Sequence, residues 1–200
     1  MSPDELPDLE AETIACQQVL QDDLSVFSIQ WVVIPRAFDA LPSDVLLDLY
    51  LRYIERCTLK VIRSVRTADG VEFRLLRSSH ALIRFSEPRR VEIGAGERTV
   101  LQIAGGMLVQ QKQCDRGQLE FIVEGTSAGS RLTLKLSDYC PLLLGGNKPS
   151  LWRKWLYRFT QAYIHKVVIV RFLAMIYRNI TGRPVKKGVV NIVVRQGTAT

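Results

Sequence analysis

Between residues 58 and 139 the hydrophobic positions recur mostly at every second residue, and short polar breaks containing turn residues interrupt them. "TLKVIRSVR" and "VEFRLLR" flank "ADG", where Asp-Gly supplies the turn chemistry of a hairpin between two alternating runs. "HALIRF", "RRVEIG", "TVLQIAGGMLVQQ", "GQLEFIVEG" and "RLTLKLSDY" follow, separated by "SEP", "GAGE", "CDRG" and "TSAGS". This spacing predicts an antiparallel meander with Leu119, Phe121, Val123, Leu132, Leu134 and Leu136 inside. Glu120, Glu124, Arg131 and Lys135 would face out, and Glu72, Glu120 and Glu124 read as a solvated face. Upstream, "LSVFSIQWVVI" is rich in β-branched and aromatic residues, with Phe27, Ile29, Trp31 and Val33 on one face, which predicts a strand ended by Pro35.

Three stretches change period. In "EAETIACQQVLQDD" a short helix would gather Ile14, Cys16, Val19 and Leu20 near one side. "PSDVLLDLYLRYIER" repeats its apolar residues at three-and-four spacing, with Ser43 as N-cap, and predicts an amphipathic helix of about three turns. From Ser150 a longer helix runs until Gly182 at the expected C′ position, with Pro184 beyond. On a wheel, Trp155, Phe159, Tyr163, Ile169, Leu173 and Tyr177 share one apolar arc of about 140°. Lys166 falls inside that arc, so it either snorkels along its stem or projects into a hollow where something polar or anionic receives it. "GVVNIVV", residues 188–194, reads as a last edge strand or an ordered tail.

Composition adds bounds. With 47% apolar and 24% charged residues in 200, the chain suits one globular domain with short extensions. No uncharged apolar stretch approaches the roughly 20 residues of a membrane span, and the acidic start is unlike a secretory signal. Four scattered cysteines and two histidines give no zinc spacing, so no metal or other cofactor is expected, and reduced thiols suggest a cytoplasmic protein. The net charge of +7 is polarised. Residues 1–23 hold seven acidic side chains and no Lys or Arg; residues 139–200 hold 11 basic and no acidic ones. The division expected is an acidic extension (1–23), a folded domain (24–182) and a basic tail (183–200).

Strand, helix, antiparallel strands, then a long C-terminal helix is an order that resembles the START-like (SRPBCC, helix-grip) superfamily of polyketide cyclases and lipid-transfer domains. "TVLQIAGGMLVQQKQCDRGQLEFIVEGTSAGSRLTLKLSDY" is similar in wording to that family's closing strands, including a "G-S-R-L-T" entry into the last one. The resemblance implies an α+β fold in which a curved antiparallel sheet wraps the C-terminal helix, with a short helix after the first strand. It also implies a hydrophobic small molecule or lipid held between sheet and helix, with Trp31, Phe73, Phe121, Trp155, Phe159, Tyr163 and Lys166 as cavity residues. No catalytic residue is carried over, so cyclase- or hydratase-like activity rests on resemblance alone.

No P-loop, dinucleotide fingerprint or nucleophile elbow is present. His80 reads as a turn residue and His165 as a wet-face residue, whereas Arg63 and Arg77 share faces with apolar residues and could hold an anionic group. Two alternatives stand beside ligand binding. One is contact with an anionic membrane, or less readily nucleic acid, through the basic C-terminal segment; its cations are spread around the helix rather than stacked in a stripe. The other is a homodimer without ligand.

Overall fold

The computed structural model describes residues 13–36, 41–110, 116–142, 163–185 and 188–199. They form eleven strands and two helices in the order β1 (Ile14–Leu20), β2 (Val26–Pro35), α1 (Ser43–Cys57), β3 (Ile62–Thr67), β4 (Gly70–Leu75), β5 (Ala81–Phe85) and β6 (Arg89–Ile93). Then come β7 (Gly96–Gly105), β8 (Gln118–Gly125), β9 (Gly129–Tyr139), α2 (Tyr163–Thr181), β10 (Val189–Asn191) and β11 (Thr198–Ala199). All strands belong to one sheet ordered β10-β1-β2-β9-β8-β7-β5-β4-β3, with β11 also against β1 and β6 against β7. Every pairing is antiparallel except that of β1 with β10.

The expected α+β helix-grip fold is corrected by this sheet. It is large, and β1, β10 and β11 extend it beyond β2. The described part of the C-terminal helix is not wrapped: α2 packs on β1, β2 and α1, while α1 covers β3, β7 and β8. Two helices thus share one face of a mostly β molecule.

The helix expected over residues 10–23 is also replaced, by β1. Its side chains alternate: Ile14, Cys16, Gln18 and Leu20 lie opposite Val32, Gln30, Ser28 and Val26 in register, which puts them on the helix side of the sheet. Ala15 and Val19 face the other way with Phe27 and Trp31. Both faces of β1 are buried, a condition under which a strand need not show a clean apolar alternation.

The meander from β3 to β9 follows the expected order. Thr67 pairs with Gly70 across a two-residue turn, and Leu119, Phe121, Val123, Leu132, Leu134 and Leu136 all enter the main core. β9 begins at Gly129 beside Pro35, with φ +150° and so little room that a Cβ would sit 2.0 Å from the Ile34 carbonyl oxygen. α2 ends as the sequence predicts: Gly182 has φ +69° and donates its N–H to the Arg178 carbonyl.

Glu120 departs from the expected solvated face. It is 2% exposed, and its carboxylate takes Lys135 at 2.9 Å and Arg98 at 3.3 Å. It faces away from the helices, between Lys135 on β9 and Val100 on β7. Glu124 pairs with Arg131 at 2.8 Å on the same face.

Ser43 is not the N-cap of α1. It occupies the first turn after Pro42, its hydroxyl 2.9 Å from that of Thr99. The cap comes from another strand: the Glu97 carboxylate on β7 accepts the Ser43 N–H and pairs with Arg90. The Ser43 N–H first, then Arg90, hold the Glu97 carboxyl below the ordinary range. A depressed folded pKa gives stability that is present above the unfolded value and lost as pH falls through the folded one. Glu97→Gln is expected to cost about 1 kcal/mol at neutral pH. In urea titrations its difference from the parent protein should shrink as pH falls below the ordinary carboxylate range and close once the parent carboxyl is protonated.

Candidate functional site

The inner face of the sheet carries a broad apolar field over β9, β8, β7, β5 and β4 and parts of β2, and the two described helices leave some of it uncovered. Tyr50 on α1 marks where they meet. Its ring packs on Phe121 of β8 at 5.4 Å and edge-on to Phe172 of α2 at 5.2 Å. Beside this junction lies a cavity of about 270 Å³. Its floor is Val26, Leu119, Leu136, Ile103 and the edge-to-face pair Phe73 and Phe85, and its roof is Tyr50 and Ile54 of α1 with Val168 of α2. Half-buried Thr58, Ile62, Leu82, Ile83 and Leu108 form the mouth.

Among the described residues, no charged side chain lines this cavity. Its polar groups are Gln18, Thr58, Tyr139 and Tyr50. Thr58 bonds back to the Ile54 carbonyl at 2.7 Å, and the Tyr139 hydroxyl donates to the Leu108 carbonyl at 2.9 Å. Tyr50 differs: it is 3% exposed, yet its hydroxyl makes no hydrogen bond with any described residue. Burial, with smaller effects of Cys57 and Tyr53, raises its phenol well above the ordinary range, so it stays a neutral donor.

Gln18 links the cavity to a second feature. The neighbouring inner-face positions of β1 and β2 are polar: Cys16, Gln18, Ser28 and Gln30 are all buried. The Gln30 amide donates to Ser28 Oγ at 2.7 Å and to Cys16 Sγ at 3.7 Å, while its own oxygen has no partner among the described residues. Beyond them, β1 and residues 192–197 enclose a larger, more polar cleft of about 670 Å³. Gln17 stitches that seam, accepting the Val194 and Arg195 N–H groups at 2.8 and 2.9 Å. Lys166 reaches the same edge and donates to Asn191 Oδ1 at 3.1 Å. Burial raises the Cys16 thiol, with Lys166 and Gln30 pulling the other way. The apolar cavity is the better ligand site because core elements enclose it, whereas the cleft is the joint between a strand and the tail.

Of the residues the sequence singled out, Phe73 lines the cavity. Phe121 stands behind it, packed on Tyr50. Trp31 is fully buried on the opposite face, with Ala15, Phe27 and Val33. Lys166 is at the sheet edge rather than in the apolar space. The side chain of Tyr163, like that of His165, and the whole of Trp155 and Phe159 lie outside the described residues. Arg63, Arg77 and His80 are exposed. Cys16, Cys57 and Cys140 are free thiols, Cys114 falls outside the described residues, and no group of described residues could hold a metal ion. Sequence reasoning missed Tyr50 as a site residue, having placed it on the apolar stripe of its helix; a tyrosine among leucines was the available signal, since a buried hydroxyl needs a partner.

No family model, curated protein or solved structure matches this chain. The likeness to the START-like superfamily therefore gains no support from comparison. No described helix is long and apolar enough to cross a membrane.

Glu120→Gln checks the assignment of faces. It should cost roughly 1–3 kcal/mol in denaturant titrations, because two cations lose their charged acceptor. Binding of any apolar ligand in the cavity should be unchanged, since the substitution lies across the sheet.

Proposed function

We propose that this protein binds a small, uncharged hydrophobic molecule in the cavity beneath α1 and α2. What supports the reading is an apolar hollow of about 270 Å³ lined, among the described residues, by no charged side chain. Leaving such a space unfilled forgoes packing worth on the order of several kcal/mol, a large share of a domain's stability. At about 30 Å³ per water, 270 Å³ matches about nine waters. A one- or two-ring compound or a short branched chain fits that space; a two-chain membrane lipid does not.

The wall also selects polarity. A carboxylate or ammonium drawn inside would leave water for a site whose described residues offer no counter-charge, at a cost exceeding the gain from its apolar part. One hydrogen-bond acceptor is a different matter, because the Tyr50 hydroxyl is unpaired among the described residues and held protonated by burial. The ligand class is therefore a neutral hydrophobe carrying a single carbonyl, ether or hydroxyl oxygen.

A matched set of naphthalenes tests this by calorimetry: the methyl ketone, the ethyl hydrocarbon and the carboxylate. The ketone should bind most tightly, the hydrocarbon roughly fivefold to tenfold more weakly, and the carboxylate not measurably at neutral pH. Tyr50→Phe should bring the ketone down to the hydrocarbon. Ile103→Phe, which fills the floor, should exclude all three. Absence of binding by both neutral compounds would refute the ligand site itself; equal binding of ketone and hydrocarbon would refute only the role of Tyr50.

A further inference from the structure

Antiparallel pairing brings the end of α1, the start of β3, the β4–β5 turn and the ends of β7 and β9 to one end of the sheet. The mouth of the cavity is there too, at Thr58, Ile62, Leu82 and Leu108. Large apolar side chains collect at this end in solvent: Leu59 is 88% exposed, Leu76 55% and Met107 54%, with Val61, Leu75 and Leu142 also exposed. The α1–β3 and β4–β5 loops touch, the Leu76 N–H donating to the Val61 carbonyl at 2.7 Å. Isolated surface leucines need no explanation, but a cluster around a cavity mouth does.

The backbone shows that this exposure is costly. α1 closes in a Schellman arrangement, with Leu59 N–H to Arg56 O at 3.1 Å and Lys60 N–H to Glu55 O at 2.7 Å. Leu59 occupies its left-handed C′ position at φ +51°, where glycine or asparagine is favoured, and Lys60 follows at φ +63°. Leu76 is left-handed as well, at φ +52°. Leucine here is worse for the folded chain than glycine on both counts, in backbone conformation and in solvation. Its use points to a partner that receives it.

Charge says which partner. Residues 56–63 and 73–80 contain Arg56, Lys60, Arg63, Arg74 and Arg77 and no acid. Arg56, Lys60, Arg63 and Arg77 are exposed and form no ion pair with a described residue. Leucines at a loop tip ringed by unpaired cations suit an anionic bilayer, whose head groups meet the cations while its acyl region takes the leucines.

We propose that this end of the molecule docks on an anionic lipid surface, inserting Leu59 and Leu76 so that the cavity opens toward the membrane. The docking stands apart from the ligand reading, since vesicles test it without any ligand. The 200-residue protein is sedimented with vesicles of phosphatidylcholine alone or mixed with phosphatidylglycerol. It should partition onto the mixed vesicles and be released by moderate salt. Leu59→Asn with Leu76→Asn should weaken that partition at least about tenfold. Thermal stability should stay level or rise, because asparagine tolerates the left-handed backbone; a merely structural role predicts the reverse. Lys60→Ala with Arg77→Ala should weaken binding to the mixed vesicles. The proposal is overturned by failure to bind the mixed vesicles, by binding that ignores the leucines (which would place it elsewhere on the basic chain), or by equal binding to phosphatidylcholine alone. It is likewise overturned if the leucine variants instead turn a dimer into a monomer in light scattering, which would make this surface a contact between copies.

Discussion

The pairing of β2 with β9 is the constraint on which the other features depend. Residues about one hundred positions apart in sequence lie in register, Val32 opposite Leu132 and Gln30 opposite Leu134, and join the first strands to the end of the meander. Without it β1 and β2 form a hairpin with no sheet to enter, and α2 has no floor. Because side chains alternate, this register also fixes which residues share a face. It puts Val26, Val32 and Ile34 with the leucines of β8 and β9, and Trp31 opposite Thr133 on the far side. Such long-range closure is entropically costly and rewarded only late, so the local hairpins of the meander are the natural first structures to form.

From that register the two faces take different chemistry. The inner one is mainly aliphatic and aromatic, with a polar corner at Gln18, Ser28 and Gln30, and takes both described helices. The other carries paired charges: Arg131 with Glu124, and Glu120 held by Lys135 and Arg98. A carboxylate as buried as Glu120 is tolerable only because its cations are in place. On the helix side the charges stand at the margins, Glu97 at the start of α1 and Arg66 against Asp48, and none of the described residues lining the cavity is charged.

Most of the meander was legible because one physical signal, period two between turn residues, dictated it. The Asp69–Gly70 turn and the alternation in "GQLEFIVEG" and "RLTLKLSDY" each point to one conformation. What could not be read depended on tertiary surroundings. "IACQQVL" has small, apolar and polar residues that suit a helix as well as a strand, and only its place between β2 and the tail decides. The alternation of β2 told correctly which residues share a face with Trp31 but not which face the helices would cover. Glu120 looked solvated because its spacing is that of an outward residue, and outward is not the same as exposed. The cavity was expected between sheet and C-terminal helix; its roof is shared with α1, whose contribution an amphipathic stripe cannot reveal.

The two ends of the sheet solve the same backbone problem differently. At the end holding the β3–β4, β6–β7 and β8–β9 turns, positive φ angles fall on Gly70, Gly94 and Gly129, and the start of α1 is capped by Glu97. Every local demand there is met by the residue that meets it at least cost. At the opposite end the left-handed residues include Leu24, Leu59, Lys60, Leu76 and Asp138. Glycine takes positive φ at this end as well, at Gly105 and Gly106 where β7 finishes, so the leucines and Lys60 stand beside positions where the chain does use it. Local and global preferences normally agree in a folding sequence, and where they part company a function is the usual cause. Here they part company around the opening of the apolar cavity beneath the helices, so the end of the molecule where that cavity opens is also the end whose surface is poorly suited to water.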